Sequence, residues 1–385
     1  MKNLLYSLLL IGFSAACSST SFDPNKAAFV TLLGNDTLAV EQFEKNGNEI
    51  NAKVILRSPQ TTFSSYNLIL DETGGIQQMT RTNFPLEEGF SGNGTVVQTV
   101  EKDGDSLKVQ METSNGSRNF TTAHAPGVLP FIDMVHWPFE IAFNHAVEAG
   151  ADSTSQMLLS GNNVSNFVIA AIEGDSMTIR HPFRGVMGVR VNSAGDIMHL
   201  DAALTTRKLK VNRVPSIDIE KVGENFANSD KSGNPFGALS GAETAEFSFN
   251  DTNFKVEYGV PYKRGRELFG GIVPWGERWR TGANRATHFY TSSDLRIGDL
   301  DVPAGEYTLF TIPEPDGGTL IINKQTGQNG QSYDEERDLG RVPMEISAQE
   351  EETEAFTITV ENSGSGGILK LIWGDTIFST EFEIE

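Results

Sequence analysis

The chain has 385 residues and carries 51 acidic against 30 basic side chains, a formal net charge of −21. That length suggests two domains rather than one compact unit, and the acidic balance excludes nonspecific nucleic-acid binding, because phosphates would meet like charge over most of the surface. A hydrophobic content of 38% suffices for ordinary cores, and 38 glycines with recurring turn dipeptides favour β structure with many tight connections.

The N-terminus comes first. Met1-Lys2-Asn3 is a short positive start, and Leu4 to Ala16 is an apolar run of 13 residues. That run is too short to span a bilayer and has the layout of an export signal. Its end, Ser14-Ala15-Ala16-Cys17, resembles a bacterial lipobox, with Ser14 where leucine is usual. Cys17 is the chain's one cysteine, so residues 1–16 are expected to be a lipoprotein signal peptide, Cys17 the lipid-attachment site and residues 17–26 a polar tether. Plain secretion with cleavage near Ala16 and an uncleaved anchor are the alternatives. Two or three acyl chains would anchor the protein stably, tethered to a membrane rather than embedded in it. Ser18 and Ser19, with no aspartate after the cysteine, resemble the pattern of outer-membrane routing in the bacterial cell envelope.

Residues 27–215 read as an antiparallel β domain. Asp36–Phe43 and Glu49–Leu56 alternate, and further runs lie at 66–70, 75–81, 95–101, 106–111, 167–172, 177–180 and 186–191, with a closing strand from Ile197. Asn46-Gly47-Asn48, Thr73-Gly74-Gly75 and Asp103-Gly104-Asp105 mark turns between them. Regular spacing with short turns predicts a meander, and a sheet this long must curl. One segment breaks the pattern: Trp137–Glu148 has apolar residues at helical spacing with Pro138 in the first turn. A single helix against a curled sheet resembles the half-barrel of lipoprotein-carrier proteins, whose interior accepts acyl chains. Residues 216–245, rich in Gly, Asn, Ser and Ala, read as a linker, with a short helix at 217–226. From Glu246 to Glu385 a second β pattern is clearest at 307–312, 319–323, 356–361, 369–373 and 376–384, the last two separated by a Gly374-Asp375 turn. The expected fold class is mainly β: an N-terminal curled antiparallel meander with one helix, then a C-terminal β-sandwich.

The stretch from Tyr258 to Ser292 stands out by charge. Between Lys263 and Arg296 seven Lys/Arg meet three acids, a local balance of +4 in a chain of −21. A positive island in an acidic protein is the natural place to hold an anion. The same stretch carries Tyr258-Gly259, Pro261, Arg264-Gly265-Arg266, Phe269-Gly270-Gly271, Val273-Pro274-Trp275-Gly276 and Trp279-Arg280-Thr281-Gly282-Ala283-Asn284. Pro303–Phe310, Asn323-Lys324, Tyr333-Asp334 and Asp338–Val342 follow. On these motifs the last 140 or so residues, from Glu246 onward, resemble the bacterial domain of unknown function 2911 family. The resemblance implies no activity. Family members often have Glu after Gly-Ala-Asn, where this chain has Arg285, so a carboxylate role at that point does not carry over.

The glycines and prolines of the stretch are fold-making residues. Arg264, Arg266, Arg280, Asn284, Thr287, His288, Tyr307 and Lys324 are candidate ligand-binding residues, since guanidiniums give planar bidentate bonds to carboxylate or phosphate. Trp275 and Trp279 offer flat faces for a sugar ring or a cation. The bland alternative is that the arginines bond loop carbonyls and acids such as Asp338. The six histidines show no metal-ligand spacing, so no metal and no cofactor is expected. There is no Gly-x-Ser-x-Gly elbow and no phosphate loop, and a thiol nucleophile is excluded, so no catalytic residues are assigned. The sequence leans towards a non-catalytic envelope protein that binds an anionic or carbohydrate-like ligand or a partner, and not nucleic acid. An envelope hydrolase using arginine and His288, or a lipid or lipoprotein carrier built on the N-terminal half, are the alternatives. A catalytic reading needs a carboxylate or histidine converging with Arg280 and Asn284; a carrier needs an apolar cavity inside the N-terminal sheet.

Overall fold

The computed structural model describes Asp23 and residues 25–385; the expected export signal and Cys17 lie outside the described residues. The protein is mainly β. Its first arm runs β1 (Lys26–Leu33), β2 (Asp36–Asn46), β3 (Glu49–Leu56), β4 (Thr62–Leu70), β5 (Ile76–Phe84), β6 (Thr95–Asp103), β7 (Ser106–Thr113) and β8 (Gly116–Ala123), each antiparallel to the last. After β9 (Leu129–Pro130) comes the helix α1 (Trp137–Ala149). A second arm follows: β10 (Ser153–Ser160), β11 (Asn163–Ala171), β12 (Ser176–His181), β13 (Gly185–Val191), β14 (Ile197–Asp201) and β15 (Lys210–Val214). β15 returns to β1, with Ala28 opposite Val214 and Leu32 opposite Lys210. β1 therefore lies in the middle of a 15-stranded sheet whose edges are β8 and β9. The expected meander is there, and the closing β15–β1 pair joins its two arms.

A sheet with one apolar face needs something to cover it, and α1 does so. Pro138 suits its first turn and Gly150, at φ 61°, ends it. Trp137, Phe139, Ile141, Phe143 and Ala146 are buried in one cluster with inward residues from both arms, among them Phe29, Tyr66, Leu107, Phe167 and Val211. His136 gives the helix no side-chain cap. The cap comes from the sheet: the fully buried Glu41 carboxylate of β2 accepts from the His136 and Trp137 backbone N–H groups at 2.8 and 2.9 Å. One turn on, Glu140 accepts from the Ile197 N–H at 3.0 Å and from Arg213 Nη1 at 2.7 Å, tying the helix to β14 and β15. The helix packs its aromatic side chains beneath the sheet, where the cavity that Phe131, Phe139, His181 and Met187 line holds about 30 Å³; a wider, open groove of about 800 Å³ lies at its C-terminal end, along Ala146, Val147, Met177 and Met198.

The segment read as linker is largely structured. A second helix, α2 (Ile219–Lys231), is capped by Asp218, which accepts from the Lys221 N–H at 3.1 Å. Ile219, Gly223 and Ala227 form its buried stripe, and Ile219 and Ala227 pack with Val40, Ile55 and Phe63 on the outer face of the sheet. A stripe of one isoleucine and two small residues is easily taken for linker composition, which is why only a shorter helix was expected there.

The C-terminal part then opens at Ser240, six residues before the expected boundary. It contains β16 (Ser240–Phe249), β17 (Thr252–Pro261), β18 (Thr287–Thr291), β19 (Leu295–Ile297), β20 (Leu300–Val302), β21 (Gly305–Glu314), β22 (Gly317–Asn323), β23 (Asp338–Ser363) and β24 (Gly366–Ile384). The 26-residue β23 pairs with β22 over its first residues and with β24 thereafter, linking two layers over a core of Phe254, Tyr258, Phe289, Phe356, Trp373 and Phe378. Tyr258 crosses that core: its hydroxyl donates to Glu243 at 2.9 Å and accepts from the Ile358 N–H at 3.3 Å. Gly374-Asp375 does not separate two strands as expected. Gly374, at φ 63°, interrupts the β23–β24 register inside one long strand, a bulge whose glycine looks like a turn signal in sequence.

The Glu140–Arg213 pair sits with each side chain 1% exposed. Removing one partner leaves a buried uncompensated charge, so Glu140→Ala is expected to lower unfolding free energy by about 3–5 kcal/mol. The joint Glu140→Met/Arg213→Met variant should recover most of that loss in denaturant titrations.

Candidate functional site

The 25 residues between β17 and β18 (262–286) form the irregular stretch that the sequence singled out. They are pinned to the sandwich by backbone pairing. Trp279 N–H donates to Thr311 O at 2.7 Å and Thr311 N–H returns to Trp279 O at 2.9 Å; Gly276 N–H reaches Pro313 O and Ala283 N–H reaches Gly259 O. Side chains complete the attachment: Thr281 and Thr311 hydroxyls meet at 2.7 Å, and Thr287 Oγ1 donates to Thr281 O at 2.7 Å. Trp279 stacks on Trp373 with centroids 6.0 Å apart and planes at 11°, and its indole N–H bonds Gly282 O. Arg264, Thr281 and Asn284 hold positive φ of 49°, 55° and 63°, an unusual concentration for residues other than glycine.

The stretch also docks onto the N-terminal sheet. Asn35 N–H, in the β1–β2 turn, donates to Arg264 O at 3.0 Å. A Cβ on Gly34 would lie 2.0 Å from that same oxygen, so the approach requires glycine. Arg264 Nη1 pairs with Asp36 at 2.9 Å and Nη2 donates to Phe236 O and Ala238 O. Its guanidinium lies 4.0 Å from the Phe236 ring centroid and 5.4 Å from that of Tyr262. Arg264 is thus a clamp between the halves, its side chain 9% exposed.

Between the halves lies a cleft of about 600 Å³. Arg266, Trp279, Arg280 and Asn284 line it from the C-terminal side, with Asn329 and Gln331 from the loop after β22. Arg184, Arg207 and Lys208 line it from the N-terminal sheet, beside the end of β1 at Leu33. The lining includes five cations and no carboxylate or imidazole. Behind it, Asp133 takes Arg184 and Arg207 together. Burial alone would raise the Asp133 carboxyl, but the bonds and charges of those two arginines outweigh it and hold the group below the usual carboxylate range. Desolvation lowers Lys208, Arg266 and Arg280 from their ordinary values, with the Arg266 charge adding to the effect on Lys208 and Arg264 to that on Arg266. Beside Asp133, burial and the Arg184 charge push His181 down to about 4, leaving a neutral ring at neutral pH.

Of the residues singled out by sequence, Arg266, Trp279, Arg280 and Asn284 meet in this cleft; the others do not line it. Thr287 is buried beneath Thr281. His288 bonds the Thr308 hydroxyl at 3.1 Å. Tyr307 is 6% exposed and donates to Pro303 O, and Lys324 is exposed beyond β22. Trp275 is 37% exposed with its ring 5.7 Å from that of Phe269. Some of the bland reading holds as well: Arg266 bonds the carbonyls of Tyr262 and Lys263, and Arg280 that of Asn284. Asp338 takes Arg341 and Tyr333 instead. Sequence reasoning missed Arg184, Arg207 and Lys208. The basic run Arg207-Lys208-Leu209-Lys210 was a usable signal, but nothing local places it opposite Arg280.

The C-terminal part has a family. Residues 240–382 match the family described as protein of unknown function (DUF2911), from the first residue of β16 into β24. No curated protein matches the chain. Among solved structures, it is similar to a DUF1089 family protein from Pseudomonas aeruginosa, at 10% identity and a TM-score of 0.30 over 43% of this chain and 91% of that one. It is also similar to a β-barrel-like protein of domain of unknown function DUF1849 from Brucella abortus, at 12% identity and a TM-score of 0.31 over 49% and 94%. Likeness at this level says nothing about what the chain binds. The DUF2911 match covers the connection between β17 and β18 but not Arg184, Arg207 or Lys208, so the cleft combines the family's segment with a second, unrelated surface.

Arg264→Ala removes the Asp36 pair, two carbonyl bonds and the stacking on Phe236 in one step. It is expected to reduce stability by about 2–3 kcal/mol and to speed proteolytic cleavage in residues 232–240. Unchanged cleavage there would show that the clamp does not hold the halves together.

Proposed function

We propose that this protein is a cell-envelope lipoprotein that binds an anionic or carbohydrate-like ligand, without chemistry, in the cleft between its halves. The observation that carries this is the charge of the lining: five cations and no acid, in a chain of −21. Desolvated cations with few partners gain most from an anion that replaces their lost water. The size suits a small organic ligand, since such pockets run from about 300 to 1,000 Å³. The hydrolase reading draws less support, because proton transfer asks for a carboxylate or imidazole in reach of the substrate and His288 bonds Thr308 away from the lining. The carrier reading asks for an enclosed apolar cavity under the N-terminal sheet; the pocket at Phe131 and His181 holds about 30 Å³, and the larger one of about 800 Å³ at the end of α1 is an open groove that mixes Ala146, Val147, Met177 and Met198 with Asp152, Glu173 and Asp175. Trp279 has one face taken by Trp373, so guanidinium and ammonium groups, more than ring stacking, support recognition. The anchor rests on the apolar run Leu4–Ala16 followed by Cys17, and outer-membrane retention on Ser18 and Ser19.

Thermal-shift and calorimetric titration of the full chain with phosphate, sulfate, galacturonate and neutral sugars tests the cleft. Acidic probes should stabilise it, and Arg280→Ala or Lys208→Ala should each weaken binding by about tenfold or more, in keeping with the loss of one charge-assisted hydrogen bond. Absence of any response to acidic probes, or equal response in the variants, would sink the proposal. The anchor is tested separately: Cys17→Ala should move the protein from the membrane to the soluble fraction, and unchanged partitioning would refute lipidation.

A further inference from the structure

Two large apolar side chains stand in solvent on the loops that flank the cleft. Phe183 is 79% exposed and Leu204 is 82% exposed. Phe183 directly precedes Arg184, and Leu204 opens the segment that continues to Arg207 and Lys208. The two loops are fastened to each other. Gly185 and Thr205 form a bridge, and Thr206 N–H donates to Arg184 O at 3.2 Å. Gly185 sits at φ 113°, and a Cβ there would meet Leu204 O at 2.3 Å, so the contact requires glycine. The loops that supply three of the five cleft cations therefore also hold out two bare hydrophobic groups. Elsewhere in this sheet large apolar side chains are mostly buried, and paired exposed ones at the edge of a polar cleft mark a contact surface.

We propose that the cleft's ligand is an anionic amphiphile. Its phosphate, sulfate or carboxylate head lies among Lys208, Arg266 and Arg280, and its apolar chain runs out over Phe183 and Leu204. This rests on the reading of the cleft as an anion site and adds the chemical class of the ligand. Charge complementarity selects the head. The chain's net charge of −21 disfavours approach of any anion, an effect that salt screens beyond about 10 Å. Apolar contact is insensitive to that repulsion and contributes about 0.8 kcal/mol per buried methylene. A head without a chain would leave Phe183 and Leu204 in water, and a chain without a head would leave the cations unmatched.

The test compares inorganic phosphate, octyl phosphate and octyl glucoside on the full chain, all below micellar concentration, with Phe183→Ser/Leu204→Ser and Arg280→Ala variants alongside. Octyl phosphate should bind at least about tenfold more tightly than inorganic phosphate, as burial of two or more methylenes implies. The double serine variant should erase that gain while leaving phosphate binding unchanged, and Arg280→Ala should weaken both phosphates. Equal affinity for the two, or a gain that survives the double variant, overturns the amphiphile and leaves the anion site standing. Failure of both phosphates to bind removes the anion site and the amphiphile together. Vesicles of phosphatidylglycerol supply the remaining arm: vesicle binding without octyl phosphate binding would make Phe183 and Leu204 a bilayer contact and overturn the proposal.

Discussion

Two buried carboxylates hold the N-terminal sheet in its shape. Antiparallel hairpins are locally self-sufficient, but fifteen strands in one sheet leave a broad apolar face, which α1 covers together with neighbouring loop residues such as Phe131 and Val135. That helix cannot cap its own start, because His136 offers no side-chain bond to the first turn. Glu41 does so from β2, and Glu140 reaches the opposite way to β14 and β15. The helix is thereby attached to both arms at the seam where β15 meets β1. A buried charge that serves as a helix cap acts on orphan backbone donors and on the helix dipole at once, so it specifies position as well as stability.

The seam decides where the cleft lies. Pairing Leu32 with Lys210 brings the loop after β14 to the same end of the sheet as the β1–β2 turn. That turn, at Gly34-Asn35-Asp36, is the docking point for Arg264. Once Arg264 is seated, the connection between β17 and β18 runs past Lys208 and Arg207 on its way back to the sandwich. The five cations therefore come from segments with no sequence relation to one another, assembled by strand pairing on one side and by a single arginine clamp on the other.

Much of the fold was legible because it is written in period two. Glu49–Val54 alternates cleanly, and β3 runs on to Leu56, with Ile55 turned to the face that α2 covers. Legibility failed where residues are small or a signal has two meanings. Ile219, Gly223 and Ala227 bury a helical stripe that contains one large side chain, and Gly374 serves a bulge with the same positive φ that a turn would use. The local excess of charge from Lys263 to Arg296 pointed to Arg266 and Arg280, and both line the cleft. Thr287 and His288 lie in the same stretch, and the later motifs added Tyr307 and Lys324, but none of them lines the cleft: Thr287 bonds Thr281 O beneath the stretch and His288 bonds the Thr308 hydroxyl. Arg184, Arg207 and Lys208 were invisible as partners because closure of the β1–β15 pair, not sequence distance, sets their place.

The clamp and the cleft also impose different demands on neighbouring arginines. Arg264 has an acid, two carbonyls and two rings, and its charge is matched within the protein. Arg266, two residues on, hydrogen-bonds backbone carbonyls, with Arg264 as a repulsive neighbour and Glu354 and Asp36 as more distant attractive charges. Arg280 is half-buried, and its one hydrogen bond goes to the Asn284 carbonyl. A fold seeking stability alone would match such charges or replace them with apolar groups, since uncompensated buried cations are costly. Their concentration on one wall, opposite Lys208 on the other, is what the proposed anion site rests on, in contrast to Arg264, which is held by its own contacts.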